Sequence, residues 1–403
     1  MRPPLGSLSL ALGLALPGFA DGRLNIQFER IEVTPDFYAE GICAGDFNRD
    51  GVLDLAYGPF WYAGPDFKQR HEITAPPAKP FDPINYSVSF LQYAVDLNGD
   101  GWTDIVVVGY PGKETFWYEN PQGKAGRWAR HTFLANTDNE SPLLADVNGD
   151  GFPDLVCMSA GQVGYATLDP KNPAKDGVFH AVSAKDAKKY QRFTHGIGAG
   201  DLNGDGKIDL LEKDGWWEQP KDGSTAKPWI FHAVPFSAGR NGGAQMIVAD
   251  VNGDGLADVI TSLDAHRYGL SWFEQQRTAQ GEISFSEHRL MDAKPEDSAF
   301  GLNLSQMHAL VWADIDGDGV NDLVTGKRYW AHGPKGDVDA ASKPVVTWFS
   351  FANKDGKVTV TPHLADEHAG IGTQFAVVDL NKDGLPDIIV GNKRGVHILL
   401  QKK

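Results

Sequence analysis

The sequence is poor in cysteine, in long apolar runs and in positive charge. Its 2 cysteines, Cys43 and Cys157, lie far apart among 403 residues, so we expect no disulfide to hold the fold together. The formal net charge of −16 leaves no basic patch to neutralise phosphates, which predicts that nucleic acid is not a partner. No apolar run reaches the length of a membrane helix, which predicts no membrane insertion.

The N-terminus has the pattern of a secretory signal. Arg2 precedes an apolar run from Leu5 to Leu16, and small residues lead to a cleavage position after Ala20. A buried N-terminal helix is the alternative. We therefore predict a signal peptide over residues 1–20 and a secreted or periplasmic mature protein, with residues 21–403 as a single domain.

One short acidic motif occurs seven times. The pattern D-x-[ND]-x-D-G-x-x-D recurs at intervals of 49 to 65 residues, which indicates an internal structural repeat. Its copies begin at Asp46, Asp96, Asp146, Asp201, Asp250, Asp314 and Asp379. The repeats occupy the whole predicted mature chain, so no second domain is required.

Each repeat is predicted to form four β strands. An EF-hand would need flanking helices and a glutamate at loop position 12, and among the seven loops only Glu212 meets the second requirement. The flanks are instead short β-branched runs such as DIVVVG (104–109). A second strand, an aromatic third strand and a fourth strand that often ends in histidine follow the loops. This pattern predicts an all-β fold, a seven-bladed β-propeller of four-stranded blades.

The two ends of the chain are predicted to share the last blade. The seventh repeat ends after its third strand, GVHILL (395–400), without a fourth. The segment NIQFERIEV (25–33), before the first loop, matches the fourth-strand pattern. We therefore expect the N-terminal strand to complete the last blade and close the ring.

The repeats resemble those of FG-GAP or VCBS-type proteins of the secreted bacterial type, whose blades are similar to integrin α-subunit propellers. The resemblance covers residues 25–403 and implies up to seven structural Ca²⁺ ions, held by motif positions 1, 3, 5 and 9. Hard oxygen ligands at this density also suit Ca²⁺ better than Zn²⁺ or Cu²⁺. The ligands so implied are Asp46, Asn48, Asp50, Asp54, Asp96, Asn98, Asp100, Asp104, Asp146, Asn148, Asp150, Asp154, Asp201, Asn203, Asp205, Asp209, Asp250, Asn252, Asp254, Asp258, Asp314, Asp316, Asp318, Asp322, Asp379, Asn381, Asp383 and Asp387.

Two further sets of side chains recur with the repeats, and we expect both to pack between blades. One is the fourth-strand histidines, namely His71, His131, His180, His232, His288 and His363. The other is the tryptophans assigned to third strands, namely Trp61, Trp117, Trp216, Trp217, Trp272 and Trp330. A stacking surface for sugars is the alternative for the tryptophans.

The side chains that do not repeat indicate a site at one end of the predicted channel, which the first strand of each blade should line. Four acid-base side chains, Glu40, Glu140, His195 and His308, each lie six residues before the first Asp of their loop. Arg192 and Arg240 lie on segments that enter from the same end. The six are candidate catalytic residues: the glutamates and histidines for a further metal or for acid-base work, the arginines for a carboxylate or a sugar oxygen. Solvated polar loops are the alternative.

Three functions follow for such a fold. The first is a recognition module for carbohydrate or an extracellular protein. The second is a carbon-oxygen lyase, either a polysaccharide lyase or a sugar dehydratase, with His195 or His308 as general base. The segment FTHGIGAGDLNGDG (193–206) resembles the propeller portion of some sugar dehydratases and lyases. The third, a scaffold or adhesion element, predicts no convergence of the candidate side chains.

Overall fold

The structure is a computed structural model that describes residues 26–223, 228–237, 239, 242–294, 304–354 and 356–402. In these ranges the regular structure consists of β strands, with no helix. No helix capable of crossing a membrane is therefore found in the described residues. The predicted signal peptide, residues 1–20, lies outside them.

The described residues form twenty-seven strands, most of them short. In chain order they are β1 (Gln27–Thr34), β2 (Cys43–Gly45), β3 (Asp54–Tyr57), β4 (Phe60–Ala63), β5 (Gln69–Glu72), β6 (Leu91–Val95), β7 (Asp104–Val108), β8 (Lys113–Glu119), β9 (Ala129–Ala145), β10 (Asp154–Ser159), β11 (Gln162–Thr167), β12 (Val178–Ala181), β13 (Ile197–Gly200), β14 (Asp209–Glu212), β15 (Gly215–Glu218), β16 (Ile230–Ala233), β17 (Ile247–Ala249), β18 (Asp258–Ser262), β19 (Leu270–Arg277), β20 (Ile283–Met291), β21 (Val311–Ala313), β22 (Asp322–Gly326), β23 (Val346–Lys354), β24 (Lys357–Asp366), β25 (Phe375–Val378), β26 (Asp387–Asn392) and β27 (Gly395–Lys402).

The strands pair in antiparallel sheets, and most strands pair with their neighbours in the chain. Four sheets have four consecutive strands, β2 to β5, β13 to β16, β17 to β20 and β21 to β24. A fifth contains β25 to β27 with β1 on its outer side, so the N-terminal strand pairs with the C-terminal strand as predicted, with Ile31 opposite Ile398. The predicted all-β fold of four-stranded antiparallel sheets is confirmed.

The sixth sheet has seven strands, β6 to β12, because one strand serves two groups. The first part of β9 pairs with β8, placing His131 opposite Trp117. The second part of β9 pairs with β10, placing Leu144 opposite Leu155. Strand β9 is therefore the fourth strand of one four-stranded unit and the first strand of the next.

Hydrogen bonds join successive four-stranded units and also join the last unit to the first. Most run between backbone groups near the first strand of each unit. They are Glu40 N to Ser89 O (2.9 Å), Tyr93 Oη to Pro142 O (2.6 Å), Glu140 N to Thr194 O (3.0 Å), Met246 N to Ile197 O (2.8 Å), Gln306 N to Arg267 O (3.0 Å), Ile371 N to Lys327 O (3.0 Å) and Thr373 N to Glu40 O (2.8 Å).

The hydrophobic core lies between adjacent sheets. Cys43 and Phe47 of one unit pack with Ile105 and Val107 of the next, for example, and Trp348 packs against the unit that contains Phe375. Because each sheet buries both faces in this way, its second strand is fully buried, and in β7 and β26 an apolar run follows the first Asp. Cys43 and Cys157 are both buried and free.

The fourth-strand histidines pack within a sheet, so the expectation that they pack between blades is wrong. His363 stacks on Trp348 of the adjacent third strand with a ring distance of 3.9 Å, and its Nε2 lies 2.9 Å from the hydroxyl of Ser350. The other five stack in the same way on the aromatic residue opposite them, namely on Trp61, Trp117, Tyr165, Trp216 and Trp272. The cross-strand neighbour, rather than the next sheet, provides the partner.

Trp330 is not on a third strand. The third strand of its unit is β23, where Trp348 occupies the expected position. Trp330 lies instead in the connection between β22 and β23, where its ring stacks on Tyr329 at 4.5 Å. The assignment of Trp330 to a third strand was therefore wrong.

Candidate functional site

The acidic loops form tight turns between the first and second strands. In the loop that begins at Asp96, the N–H of Gly101 donates to Oδ2 of Asp96 (2.8 Å), and Gly101 takes a φ of 83°, which favours glycine. Asp104, at motif position 9, is fully buried and accepts N–H groups of Leu97 (3.1 Å) and Asn120 (2.8 Å). The ninth residue thus holds the turn to the sheet whether or not a metal is bound.

The donor set of these loops fits a hard cation. In the sixth loop, Asp314, Asp316 and Asp322 each place one carboxylate oxygen within 4.8 Å of the others. Carboxylate oxygens grouped in this way are the ligands that Ca²⁺ prefers. Calcium binding at all seven loops, including the assigned ligand Asp318 of the sixth, stays a prediction.

Four of the six candidate catalytic residues converge in the interior. The guanidinium of Arg328 lies 3.2 Å from Glu40 Oε2 and 3.5 Å from Glu140 Oε2. Nε2 of His195 is 3.3 Å from the same Glu140 oxygen, and the rings of His195 and His308 are 5.3 Å apart. These five side chains are at most 9% exposed. Such convergence is what a scaffold element would lack.

The same structural position brings the four predicted residues together. Glu40, His195 and His308 lie two or three residues before the first strand of their units, and Glu140 lies where β9 begins its second pairing. Backbone hydrogen bonds between neighbouring units fix these segments, as at Glu140 N to Thr194 O. The side chains are therefore held by the framework rather than by mobile loops.

Three further members of the site lie just after second strands. Arg328 follows β22, His266 follows β18 and Lys393 follows β26, where Nζ of Lys393 lies 3.9 Å from Glu40 Oε1. An antiparallel second strand returns the chain to the edge where the first strand began, so these residues meet the others. We call Glu40, Glu140, His195, His266, His308, Arg328 and Lys393 the central cluster.

The two remaining candidates are not part of the central cluster. Arg192 is exposed, although its carbonyl accepts the N–H of Asn139 (2.9 Å). Its guanidinium lies against Gly112, at the rim of the site. Arg240 lies outside the described residues. The arginine that the cluster contains is Arg328, which the sequence analysis did not single out.

Unpaired polar atoms are concentrated in the central cluster. Six of its seven residues have a buried nitrogen or oxygen without a hydrogen-bond partner among the described residues: Glu40 Oε1, His195 Nε2, His266 Nδ1, His308 Nε2, Arg328 Nε and Lys393 Nζ. Two of these atoms, His195 Nε2 and His266 Nδ1, each lie 3.3 Å from a carboxylate oxygen without forming a hydrogen bond. Buried polar atoms in proteins are normally paired, and each unpaired atom has a large desolvation cost. Such a concentration marks a place where a ligand, an ion or water completes the structure.

Burial and charge together set the protonation of the cluster. Burial alone would raise the pKa of Glu140, but the nearby His195 and Arg328 outweigh it and lower that pKa to about 2. Burial and the charge of Arg328 hold the pKa of His308 well below its usual value. Burial also lowers the pKa of Lys393 to about 8, although Glu40 opposes the shift. The cluster therefore combines an ionised carboxylate, a neutral imidazole and an ammonium group that titrates near neutral pH.

The central cluster reaches solvent through His266. The side chain of His266 is 21% exposed, and its Nδ1 lies 3.3 Å from Oδ1 of Asp337. The same oxygen lies 2.8 Å from Nδ1 of His332, which is half-exposed. These two histidines hold the pKa of Asp337 below its usual value despite its burial. His266 thus connects the buried groups to the surface.

Aromatic side chains border another part of the cluster. Nζ of Lys393 lies 4.4 Å from the ring centre of Tyr86. The ring of Tyr110, 5.3 Å from Tyr86, also contacts Phe193, two residues before His195. A separate surface pocket of about 530 Å³ is lined by residues that include Trp61, His71 and Trp128, none of which belongs to the central cluster.

Comparison with known proteins identifies the repeats. A family model described as an FG-GAP-like repeat matches residues 96–157, and an FG-GAP repeat model matches residues 371–399. No curated protein matches the sequence at a significant level.

Several solved structures are similar to this chain. A lectin from Agrocybe aegerita that recognises non-reducing terminal N-acetylglucosamine has 16% identity and a TM-score of 0.47, with 85% of this chain and 82% of the lectin covered. The rhamnogalacturonan lyase YesW has 12% identity and a TM-score of 0.44, with 89% and 71% covered. The exotype rhamnogalacturonan lyase YesX has 13% identity and a TM-score of 0.43, with the same coverage. Because these TM-scores are low, we describe the fold from the strand pairing and the repeats alone.

Proposed function

Since the chain is an FG-GAP repeat protein, we propose that it is a secreted or periplasmic, calcium-stabilised β-propeller of seven blades. We further propose that it binds acidic carbohydrate at the central cluster, close to the entrance of the propeller channel. The export step is proposed from the signal pattern of residues 1–20.

Strand pairing and inter-sheet hydrogen bonds support the seven-bladed ring. Counting β9 in both of its units gives seven groups of four strands, one for each acidic loop. The hydrogen bond from Thr373 N to Glu40 O links the seventh group to the first, in addition to the pairing of β1 with β27. A closed ring leaves only short, protected sheet edges, which suits a chain of many short strands.

The acidic loops support the calcium proposal. The carboxylates of Asp314, Asp316 and Asp322 in the sixth loop would repel one another without a cation, because their oxygens lie within 4.8 Å of one another. In the sixth loop, Asp314, Asp316 and Asp322 would hold the ion through their converging oxygens. Bound calcium would supply positive charge to the turn and stabilise the folded blade, with no part in binding carbohydrate.

The unpaired donors of the central cluster carry the proposal of ligand binding. Nζ of Lys393 and Nε of Arg328 are buried donors without partners, while Oε1 of Glu40, 3.9 Å from Lys393, is an unpaired acceptor. A sugar hydroxyl can accept from an ammonium and donate to a carboxylate, and a uronic-acid carboxylate can accept from both cations. Tyr86 and Tyr110, beside Lys393, offer rings for the apolar face of a sugar. An oxygen-rich, acidic sugar could therefore provide hydrogen-bond partners for Nζ of Lys393, Nε of Arg328 and Oε1 of Glu40.

Binding to uronic-acid oligosaccharides tests this function. We expect calorimetric titration to detect one site per chain for an acidic oligosaccharide and weaker binding for its neutral counterpart. Lys393→Met removes the ammonium while keeping an unbranched side chain, and should weaken binding by about tenfold to a hundredfold. Lys68→Met is the matched control, because the Lys68 side chain is 82% exposed. Equal loss in both variants, or no binding to any acidic oligosaccharide, would contradict the proposal.

A sugar lyase is the second candidate function, and the unpaired imidazole nitrogens favour it. Lyase chemistry removes a proton beside a carboxylate, so it needs a base and a cation close together. Nε2 of His195 and Nε2 of His308 are unpaired, and Arg328 and Lys393 provide cations in the same cluster. In this role a histidine Nε2 would accept the proton while a cation stabilised the charge on the carboxylate. The carbon-carbon double bond would form as the C–O bond at the neighbouring carbon breaks, and the leaving oxygen would take a proton from solvent.

The lyase candidate is tested by the ultraviolet absorbance of its unsaturated product. Uronic-acid polysaccharides are incubated with the wild-type protein and with His195→Ala. A rise in absorbance that the variant abolishes would support a lyase. Binding without any rise in absorbance would leave recognition of carbohydrate as the function.

A further inference from the structure

Three histidines of the central cluster lie close enough to share one metal ion. One ring nitrogen from each of His195, His266 and His308 lies within 4.8 Å of the other two. The three rings pack edge to face in pairs, with ring distances of 4.9, 5.0 and 5.3 Å. They come from three different units of the fold, so the sequence gives no local spacing that would reveal the group.

Each histidine has the outer contact that metal-binding histidines commonly have. Nδ1 of His195 lies 3.0 Å from the carbonyl oxygen of Phe193, and Nδ1 of His308 lies 3.0 Å from that of Gln306. Because a carbonyl only accepts, each Nδ1 is a donor, and in the neutral ring Nε2 keeps its lone pair. Those two Nε2 atoms are buried and unpaired. A carbonyl or carboxylate on the outer nitrogen is the usual support of a metal ligand.

His266 has the corresponding carboxylate support. Its Nδ1 lies 3.3 Å from Oδ1 of Asp337 without a hydrogen bond. An ion bound at Nε2 would leave the proton on Nδ1, where it can point to that carboxylate. Asp337 is itself held by Nδ1 of His332 at 2.8 Å. The three rings therefore have their orientation fixed from outside, two by carbonyl groups and one by a carboxylate.

We propose that His195, His266 and His308 bind one Zn²⁺ ion, with Oε2 of Glu140 as the fourth ligand. Zn–N bonds of about 2.0 to 2.1 Å in a tetrahedral site set ligand atoms about 3.3 Å apart. Glu140 Oε2 already lies 3.3 Å from Nε2 of His195 without a hydrogen bond between them. One nitrogen of each histidine lies within 4.8 Å of the other two, and binding of an ion would draw the three together to the tetrahedral spacing.

The ligand type and the local charge suit zinc rather than calcium. Imidazole nitrogen is a ligand of zinc and other transition metals, whereas calcium takes oxygen ligands. Glu40 is engaged by Arg328 and lies near Lys393. Glu140, which shares its Oε2 with Arg328 at 3.5 Å, and Asp337 are the carboxylates that would balance the charge of the ion. The site is therefore distinct in chemistry and place from the acidic loops.

Zinc titration in the presence of excess calcium tests this site. The full-length protein is stripped of metal, dialysed into calcium so that the acidic loops are supplied, and titrated with Zn²⁺ in a calorimeter. We expect one tight zinc ion per chain. His308→Gln should abolish tight binding, whereas His288→Gln, on an outer strand beside Glu274, should leave it unchanged. No stoichiometric zinc in the wild type, or equal loss in the two variants, would overturn the proposal.

Asp337→Asn provides a test that leaves the three ligands in place. The change weakens the support of His266 without removing a ligand, so we expect zinc affinity to fall by about tenfold to a hundredfold. Circular dichroism checks that the variant is folded. Substituting Co²⁺ gives a second readout, since a four-coordinate site with three imidazoles predicts an intense visible spectrum that His308→Gln removes. A weak octahedral spectrum would overturn the proposed geometry.

The zinc site and the carbohydrate site can fail separately. Lys393 is not a zinc ligand, so Lys393→Met should keep stoichiometric zinc while weakening the sugar. Zinc binding without sugar binding would support the metal site and reject the proposed function. Sugar binding without zinc binding would support the proposed function and reject the metal site. With zinc bound, His195 and His308 act as ligands and are no longer free bases, so zinc content also bears on the lyase candidate.

Discussion

Arg328 lies between the two buried glutamates of the central cluster and compensates the charge of both. Its guanidinium is 3.2 Å from Glu40 and 3.5 Å from Glu140, and its side chain is 1% exposed. Removing one partner of a buried ion pair leaves uncompensated charge and typically costs about 3 to 5 kcal/mol. The stability of the interior therefore depends on this single side chain.

Arg328→Met should lower the free energy of unfolding by about 3 to 5 kcal/mol. The matched control is Arg127→Met, because Arg127 also pairs with a glutamate, Glu72 at 2.8 Å, but on the surface. An exposed pair contributes about 0 to 1 kcal/mol, so the control should change little. Urea denaturation in calcium measures both values. Equal losses would contradict the account of the cluster.

The titration of Lys393 predicts how ligand binding depends on pH. Its pKa is lowered to about 8, so the ammonium is present below that pH and lost above it. Uronic-acid carboxylates stay ionised throughout this range, so we expect affinity for an acidic oligosaccharide to fall as the pH rises through about 8. Calorimetry between about pH 6 and pH 10 measures the profile. Constant affinity up to the usual pKa of lysine would contradict the role assigned to Lys393.

At the residue scale, the sequence predicted four of the seven residues of the central cluster and missed His266, Arg328 and Lys393 for a clear reason. Glu40, Glu140, His195 and His308 were found by counting back from the acidic loops, since the first strands begin at one edge. His266 and Arg328 follow second strands and have no repeat pattern. Inspecting the residues after each second strand would have found them, because that strand ends at the same edge.

At the element scale, short strands were well predicted wherever the chain repeats closely. The second strands read as continuous apolar runs because both faces of each sheet are covered by neighbours. The strand assignments were wrong where an insertion breaks the repeat. Between β22 and β23, the sequence around Trp330 is aromatic like a third strand but lies in a connection. The sequence also did not predict that β9 runs without interruption from one unit into the next. Two separate strands were expected there, and no turn lies between them.

Strand β1 is expected to protect the edge of the last sheet. It pairs with β27 along its length, from Gln27 opposite Lys402 to Thr34 opposite Val396. Deleting residues 1–34 should therefore lower the Tm and promote self-association through the exposed edge of β27. Deleting only residues 1–20 is the control and should change neither property. Differential scanning calorimetry and analytical ultracentrifugation would measure the two effects, and identical behaviour of both deletions would contradict the pairing.

At the scale of the whole molecule, we propose that calcium bound at the acidic loops stabilises the fold. Exhaustive chelation should lower the Tm sharply, since each loop saturated at about 100 times its Kd contributes about 2.7 kcal/mol. Differential scanning calorimetry measures the change, and adding Ca²⁺ back, but not Mg²⁺ at equal concentration, should restore the original Tm. An unchanged Tm after chelation would contradict a stabilising role for the metal.

The overall architecture was easier to predict from sequence than the site within it. Seven acidic loops at regular spacing indicate the repeat directly, and the missing fourth strand of the last repeat predicts the pairing of the two termini. The central cluster instead depends on the distance between residues from different repeats, such as Arg328 and Glu40, which are 288 positions apart. A local sequence motif cannot predict a contact between residues so far apart in the chain.

A crystal structure of the full-length protein in calcium, bound to a uronic-acid oligosaccharide, tests the central claim most directly. We predict electron density for the sugar at the central cluster, with an oxygen of the ligand within hydrogen-bond distance of Nζ of Lys393 and another near Glu40. Density for the sugar only in the surface pocket lined by Trp61 and Trp128, with the cluster filled by water alone, would contradict the account.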